Sequence, residues 1–324
     1  MNLSLRPEHY PVPSSTQTQT DWLPAPAKIN LFLHIVSRLP NGYHELQSVF
    51  ALVSAHDSIR IRVIPQSNQI SRLDIGQPSA PLPSDDLCVR AAKLLQQATG
   101  CPLGAQIELR KHVPTQAGMG GGSSDAATTL MALNRMWNVN LSAQQLMELG
   151  LQLGADVPFF IGGHSAWVEG IGEKLTPLSL PEFECVIAKP LAGVSTPAIF
   201  GDASLKRDTT RATISGFVKQ LNLSANQCLT HQVVASLQWG CNVMQDVAVK
   251  FEPSIGQCLQ DLRDLGLEPR MTGSGSAVFA LLPPGKTVSL SSLPSVHWWG
   301  CFQSLAVHPL AHWVPADSSG SSIC

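Results

Sequence analysis

Charge is scarce in this chain of 324 residues: Asp, Glu, Lys and Arg make up 14%, with 21 basic side chains against 23 acidic ones. No block of like charge stands out, which argues against a nucleic-acid surface and against a polybasic membrane patch. The eight cysteines (Cys88, Cys101, Cys185, Cys228, Cys241, Cys258, Cys301 and Cys324) never form a C-x-x-C pair. Scattered singly, they read as small buried hydrophobes in a reducing compartment, neither a disulfide frame nor a zinc site. No apolar run approaches the ~18 residues of a membrane span. The opening "MNLSLRPEHYPVPSSTQTQTDW" has no apolar core of signal-peptide length. These absences predict a cytoplasmic protein with no nucleic-acid or membrane partner, either monomer or homodimer. Any phosphate it handles belongs to a small molecule.

What is present is a globular composition, 44% hydrophobic, long enough for one large or two ordinary domains. Residues 1–20, rich in Pro, Ser, Thr and Gln, read as a disordered extension, and 313–324 as a flexible tail. "AKINLFLHIVS", "DSIRIRVIP" and "AQIELRKHVP" have strand composition. "SDDLCVRAAKLLQQATG" reads as a helix capped by Ser84, striped by Leu87, Ala91, Leu94 and Leu95, and stopped by Gly100. Ala126, Leu130, Leu133 and Trp137 mark a second helical face, and Ser142 caps a third helix through Leu153. "VPFFI" reads as an apolar strand, "HSAWVEGIGEKLTPL" as strand, turn and strand. A second unit begins near residue 180 with "ECVIAKP" as strand and includes "MTGSGSAVFALL", a glycine turn feeding a strand. Strands and helices mix without a βαβ rhythm, so the expected class is α+β in two lobes, 21–180 and 181–312.

Between the strand "AQIELRKHVP" and the second helix lies "PTQAGMGGGSSDAATTL", residues 114–130. Gly118, Gly120, Gly121 and Gly122 fall within five positions. A linker would have polar, low-complexity flanks, and a structural turn needs only one or two glycines. Each glycine costs about 0.5–1 kcal/mol in ordering entropy. That repeated cost suits a backbone whose N–H groups converge on a bulky anion at a helix start. The motif is not a P-loop, because no lysine follows the glycines. Nor is it a dinucleotide fingerprint, since Ser123 stands at the sixth position counted from Gly118. Ser123 and Ser124 offer hydroxyls to phosphate or Mg²⁺, or serve as plain helix caps.

This stretch resembles the phosphate-binding motif of the GHMP kinases, small-molecule kinases that use ATP without a P-loop. Three further stretches resemble one branch of that family: "PAPAKINLFLHIVSRLPNGYHELQSVF" (24–50), "LGADVPFFIGGHSAWVEGIGEKLTPL" (153–178) and "MTGSGSAVFAL" (271–281). The resemblance runs from about residue 22 to 312. It implies a ribosomal-S5-domain-2-like lobe that binds ATP, followed by a ferredoxin-like α/β lobe. It also implies a reaction in the non-mevalonate isoprenoid route, ATP and Mg²⁺ serving to phosphorylate the 2-hydroxyl of a cytidine diphosphate methylerythritol. The resemblance assigns Pro114, Thr115, Gln116, Ala117, Gly118, Met119, Gly120, Gly121, Gly122, Ser123 and Ser124 to ATP. Other kinases of the family, for homoserine or mevalonate, and a non-catalytic nucleotide-binding relative are the rival readings.

Phosphoryl transfer asks for positioning, charge neutralisation and a late proton acceptor. Asp156, in "GADVP", is the candidate base for an alcohol; an Asp beside Gly and Pro is also an ordinary turn former. Lys28 sits in "PAKINLFL", where an unpaired ammonium would be costly. Pairing it with Asp156 resolves both oddities, and the resemblance makes the same two residues the catalytic pair. It further implies that Tyr43 and His44 contact the cytosine, with Phe200 facing the base from the other side. Asn30, on the strand face of Lys28, would reach the methylerythritol hydroxyls. Thr196 would join the same pocket, and Gly273, Ser274 and Gly275 would close it from the second lobe. Asp86, Asp125 and "CNVM" (241–244) depart from the family pattern, which bears on adenine recognition and not on the reaction.

Overall fold

Two strands of unusual length carry the first half of the chain. β1 (Leu23–Arg38) and β2 (His44–Ile64) form an antiparallel hairpin. β2 extends well upstream of "DSIRIRVIP", its side chains Val49, Ala51 and Val53 facing one core while Phe50 and Leu52 face the other. β3 (Ile70–Asp74), β4 (Gly104–Arg110), β5 (Ala166–Gly170) and β6 (Lys174–Pro177) complete a sheet of order β3-β4-β2-β5-β6, with β1 paired to β2. This computed structural model describes residues 5–14, 16–76, 82–225, 237, 239–289 and 295–315.

One irregularity in that hairpin builds the site. The β1–β2 register shifts between Pro26 and Ala27. Leu23 and Ala25 pack with the helices, whereas Ala27, Ile29 and Leu31 pack toward the second sheet. Both strands turn over at this point: on β2, Ala55 packs toward the second sheet while Ile59 and Ile61 pack with the helices. Lys28 and Asn30, at the alternate positions, are thereby delivered to the helical side, where Lys28 stands opposite Leu52.

α1 (Leu87–Thr99), α2 (Gly121–Met136), α3 (Ala143–Leu151) and α4 (Val157–Gly162) cover that side. Asp86, not Ser84, caps α1: its carboxylate accepts from the Val89 N–H, two residues beyond the serine. Gly100 ends the helix with φ 66°. Leu94, expected in the stripe, is only half-buried, while Cys88, Val89 and Ala92 are buried beside Ala91 and Leu95. Ser142 caps α3 through a capping box, as its spacing predicts, although the helix stops at Leu151. "VPFFI" is helical, contrary to the strand expected. A short apolar run has no decisive period, but Pro158 in the first turn and Gly163 (φ 74°) just past the end mark a helix.

β7 (Glu184–Lys189), β8 (Arg270–Met271), β9 (Val278–Leu282) and β10 (Trp298–Gln303) form a second sheet of order β10-β7-β9-β8. α5 (Thr196–Gly201), α6 (Ile214–Ala225), α7 (Gln245–Phe251) and α8 (Pro253–Asp264) accompany it. Val186, Ala188, Val278 and Ala280 pack on α7 and α8, while Cys185, Ile187, Phe279 and Leu281 share a core with β1 and β2. The fold is α+β, and one apolar layer joins the two sheets.

Residues 1–20 do not form a disordered extension where they are described. Thr20 donates its N–H to Ile61 O at 2.9 Å, Val63 donates to Thr18 O at 2.8 Å, and Leu5 is buried. Tyr10 O accepts from the ring nitrogens of Trp313 (2.8 Å) and His312 (2.9 Å), and Trp313, assigned to the flexible tail, is buried. Composition missed this because an edge backbone pairs without any side-chain period. Residues 1–4, 15 and 316–324 lie outside the described residues, as do Cys228 and Cys324; the other six cysteines are free thiols. Among the described residues no helix is long and apolar enough to cross a membrane.

Candidate active site

The glycine run leads from β4 into the start of α2. Gly120 (φ 69°) holds the cap position, and among the described residues no side chain caps the helix. Those uncapped donors and the positive dipole end suit an anion. The run is docked on the glycine turn of the second unit: Ser276 donates to Gln116 O at 3.1 Å and Ala277 to Ala117 O at 3.2 Å. A cleft of about 1010 Å³ lies there. Pro114, Thr115, Gln116, Ala117, Gly118, Met119, Gly120, Gly121, Gly122 and Ser123 all line it, with Asp86, Leu87, Arg90, Lys111 and Asp125 at one side and Gly193, Val194 and Ser195 at another. Ser124 does not. It is buried and spends its hydroxyl on Pro26 O at 2.6 Å, so of the two serines only Ser123 faces the cleft.

Lys28 is joined to this loop. Its N–H donates to Met119 O at 3.0 Å, and its side chain runs beside Gly120. The buried ammonium donates to Asn30 Oδ1 at 2.7 Å, lies 3.6 Å from Asp156 Oδ2 and sits 4.3 Å over the Phe50 ring. Burial lowers the Lys28 pKa from its ordinary value, and the Asp156 carboxylate works against that shift. Asp156 precedes α4 at the N-cap position but makes no cap bond. Its carboxylate is left to Lys28 and to whatever enters. Asn30 is fully buried: its amide accepts from Lys28, donates to Ser48 Oγ at 2.9 Å, and its N–H donates to Thr272 Oγ1 at 2.9 Å. Its contacts orient Lys28 and tie β1 to the second glycine turn.

Thr196 opens α5 and bonds Ser274 Oγ at 2.6 Å; both line the cleft with Gly275, so these three group with the glycine run. Gly273 is held by Asn242, which donates to its carbonyl and to that of Met271, each at 2.8 Å. One turn further along α5, Phe200 stacks on His44, with ring centroids 4.7 Å apart and planes 20° apart. A base cannot lie between rings this close, since two stacking contacts need about 7 Å. The two rings therefore form a platform, and a base stacked here lies outside the gap between them. Tyr43, 59% exposed, stands beside it in the chain. Helix α5 thus spans two places, its start in the cleft and its end on His44.

One buried cluster escaped sequence reasoning. Lys111 bonds Asp57 and, at 2.7 Å, Asp125, while Asp57 accepts from the His112 and Val113 N–H groups at 2.6 and 2.8 Å. Asp57 lies 54 residues from Lys111 in sequence, beyond the reach of any local pattern. The three anchor the turn from β4 into the glycine run. Asp125 Oδ1 is buried with no hydrogen-bond partner among the described residues. Burial, then the Asp57 carboxylate, raise the Asp125 pKa well above the usual range against the pull of Lys111. A carboxyl raised in the folded state contributes stability below its unfolded pKa, about 4, that is lost as pH rises through the folded pKa. Asp125→Asn mimics the protonated form. Thermal unfolding should find the two proteins similar near pH 4 and the variant more stable by a few degrees at pH 8. A gap that stays constant with pH would remove Asp125 as its source.

Residues 86–164, which hold the glycine run and Asp156, match the family of GHMP kinases by their N terminal domain. A relative from Paracidovorax citrulli (strain AAC00-1), named 4-diphosphocytidyl-2-C-methyl-D-erythritol kinase, is 50% identical over 295 residues, 90% of this chain and 96% of the relative. This chain belongs to the 4-diphosphocytidyl-2-C-methyl-D-erythritol kinase family. A crystal structure of 4-(cytidine 5'-diphospho)-2C-methyl-D-erythritol kinase is 32% identical with a TM-score of 0.71, covering 88% of this chain and 99% of that one. A homoserine kinase from Cytophaga hutchinsonii, 16% identical with a TM-score of 0.64 over 91% of this chain and 97% of its own, shares the fold.

Proposed function

We propose that this chain transfers the γ-phosphoryl group of ATP to the 2-hydroxyl of 4-diphosphocytidyl-2-C-methyl-D-erythritol, a step of the non-mevalonate isoprenoid route. The observation that carries the reading is the Lys28–Asp156 pair at the end of the glycine cradle: Lys28 is bonded to Met119 of the loop and lies 3.6 Å from Asp156. The cradle takes the triphosphate. The acceptor oxygen attacks the γ-phosphorus, ADP leaves with the β–γ bridging oxygen, and the hydroxyl proton passes to Asp156 late in the transfer. Lys28 neutralises charge that builds on the reacting oxygens. Ser123, which lines the cleft, would help hold Mg²⁺, and the ion would neutralise phosphate charge.

Phe200 gives the cytosine a stacking face, His44 meets the base with its ring edge, and the exposed Tyr43 stands beside them as a cover. Homoserine and mevalonate carry no base, so a kinase for either would have no use for it. A non-catalytic nucleotide binder would have no use for a buried Lys28 held on Asp156. Steady-state turnover decides the matter. The cytidylated alcohol should exceed methylerythritol 4-phosphate in kcat/KM by roughly 10-fold or more, because the remote base supplies binding energy that aligns the hydroxyl. Equal kcat/KM for the two would remove the cytidine site and leave an unspecified small-alcohol kinase.

A further inference from the structure

Beside the ring platform, Arg207 gathers four acceptors. Its Nη1 donates to Leu205 O at 2.9 Å, and its Nη2 to Phe200 O at 2.7 Å and Asp202 O at 2.8 Å. Its Nε donates to His44 Nε2 at 3.1 Å. The two bonds from Nη2 fix the end of α5, and with it Phe200; the Nε bond fixes the histidine on which Phe200 stacks. A guanidinium carries donors only and stays protonated. His44 Nε2 must therefore be the bare, accepting nitrogen. A neutral imidazole accepting there carries its proton on Nδ1.

The charged groups facing the ring agree with a neutral His44. Arg207 approaches from the segment after α5, and Arg38 stands opposite His44 across the β1–β2 hairpin. Partial burial, then these two cations, lower the His44 pKa from its ordinary value. No partner for Nδ1 is found among the described residues.

We infer that Arg207 is a positioning residue that sets the tautomer of His44, so that the ring offers an Nδ1–H donor to the substrate and selects cytosine over uracil. The inference rests on the cytidine-site reading above. Cytosine presents a bare N3, which accepts from that donor. Uracil presents N3–H at the same place, donor against donor. Unlike an amide side chain, a fixed imidazole cannot rotate to offer an acceptor instead. Arg207 thus links the plane of Phe200 and the polarity of His44 through one side chain.

Two measurements test this. In wild-type protein, ¹⁵N shifts of the His44 ring should show the Nδ1–H tautomer. In turnover assays, wild type should favour the cytidylated alcohol over its uridine counterpart by about tenfold or more in kcat/KM, the value of one hydrogen bond lost with its donor left unpaired. Arg207→Met should bring that ratio near one. It should act through KM for the alcohol, with kcat at saturation and KM for ATP close to wild type, and the His44 pKa should rise. Arg207→Lys, which keeps a donor but not the fork, should recover part of the ratio and guards against misfolding of the methionine variant. An Nε2–H tautomer in wild type, or an Arg207→Met variant keeping the full ratio, overturns the inference. If His44→Ala and Phe200→Ala also leave KM for the cytidylated alcohol unchanged, it is the cytidine site itself that fails.

Discussion

Replacing Asp156 with Asn is expected to lower kcat by about 10²–10⁴-fold while leaving ATP affinity near wild type, the loss typical of a general base. Asn keeps the size of the side chain and an oxygen toward Lys28, 3.6 Å away, but cannot take a proton from the alcohol. Asp156 makes no cap bond to α4, so its replacement releases no helix contact. It is also outside the lining of the ATP-side cleft. Binding and fold should both survive the change. What is lost is the acceptor for the proton as the new P–O bond forms. Steady-state kinetics with the cytidylated alcohol, alongside calorimetric ATP binding, checks both halves. A variant keeping more than about half of wild-type kcat would take Asp156 out of the chemistry.

That pair was readable in the sequence for a physical reason: a lysine among small apolar residues and an aspartate between Gly and Pro are each locally misplaced, and each explains the other. The glycine run was readable because positive φ and close backbone approach demand glycine whatever surrounds it. Gly118 (φ 71°) and Gly120 (φ 69°) show the first demand, and the docking of Gly118 on Thr272 shows the second. What failed to show was non-local or without period. Lys111 needs Asp57 and Asp125, and the sequence near Lys111 names neither. Arg207 finds His44 across 163 residues. The backbone of Thr18–Thr20 joins β2 through groups that every residue carries. The helix at Val157–Gly162 was hidden by length, since six apolar residues fit either period. Resemblance supplied His44 and Phe200 as a pair but not their direct contact, which depends on where Arg207 fixes α5.

Among the glycines, Gly118→Ala should do the greatest damage, and the reason is specific to its place. Gly121, at the start of α2, has no positive φ, and a methyl there would meet the Val113 side chain at 3.1 and 3.3 Å and Asp57 Oδ2 at 3.4 Å, all side-chain atoms. Gly118 combines φ 71° with a Cβ position that overlaps the Thr272 carbonyl oxygen. The conformation alone costs an alanine about 1–2 kcal/mol. The overlap cannot be relieved by a side-chain rotation, because the opposing atom is backbone. Facing it, Gly273 (φ 56°) has Gly118 O only 2.7 Å from its own Cβ position, so the two turns interlock and neither can yield alone. A methyl on Gly118 must therefore part the loops, breaking the Ser276–Gln116 and Ala277–Ala117 hydrogen bonds and drawing the cradle away from Ser274 and Gly275. Thr272 also bonds Asn30, which in turn bonds Lys28, so the displacement reaches the Lys28–Asp156 pair. Calorimetry should show ATP affinity reduced at least 100-fold, about 2.7 kcal/mol, with a lowered Tm. Gly121→Ala should lose far less of either. Equal ATP affinity in Gly118→Ala and wild type would mean that the interlock of the two turns does not shape the cradle, and that the phosphate donors lie wholly within α2.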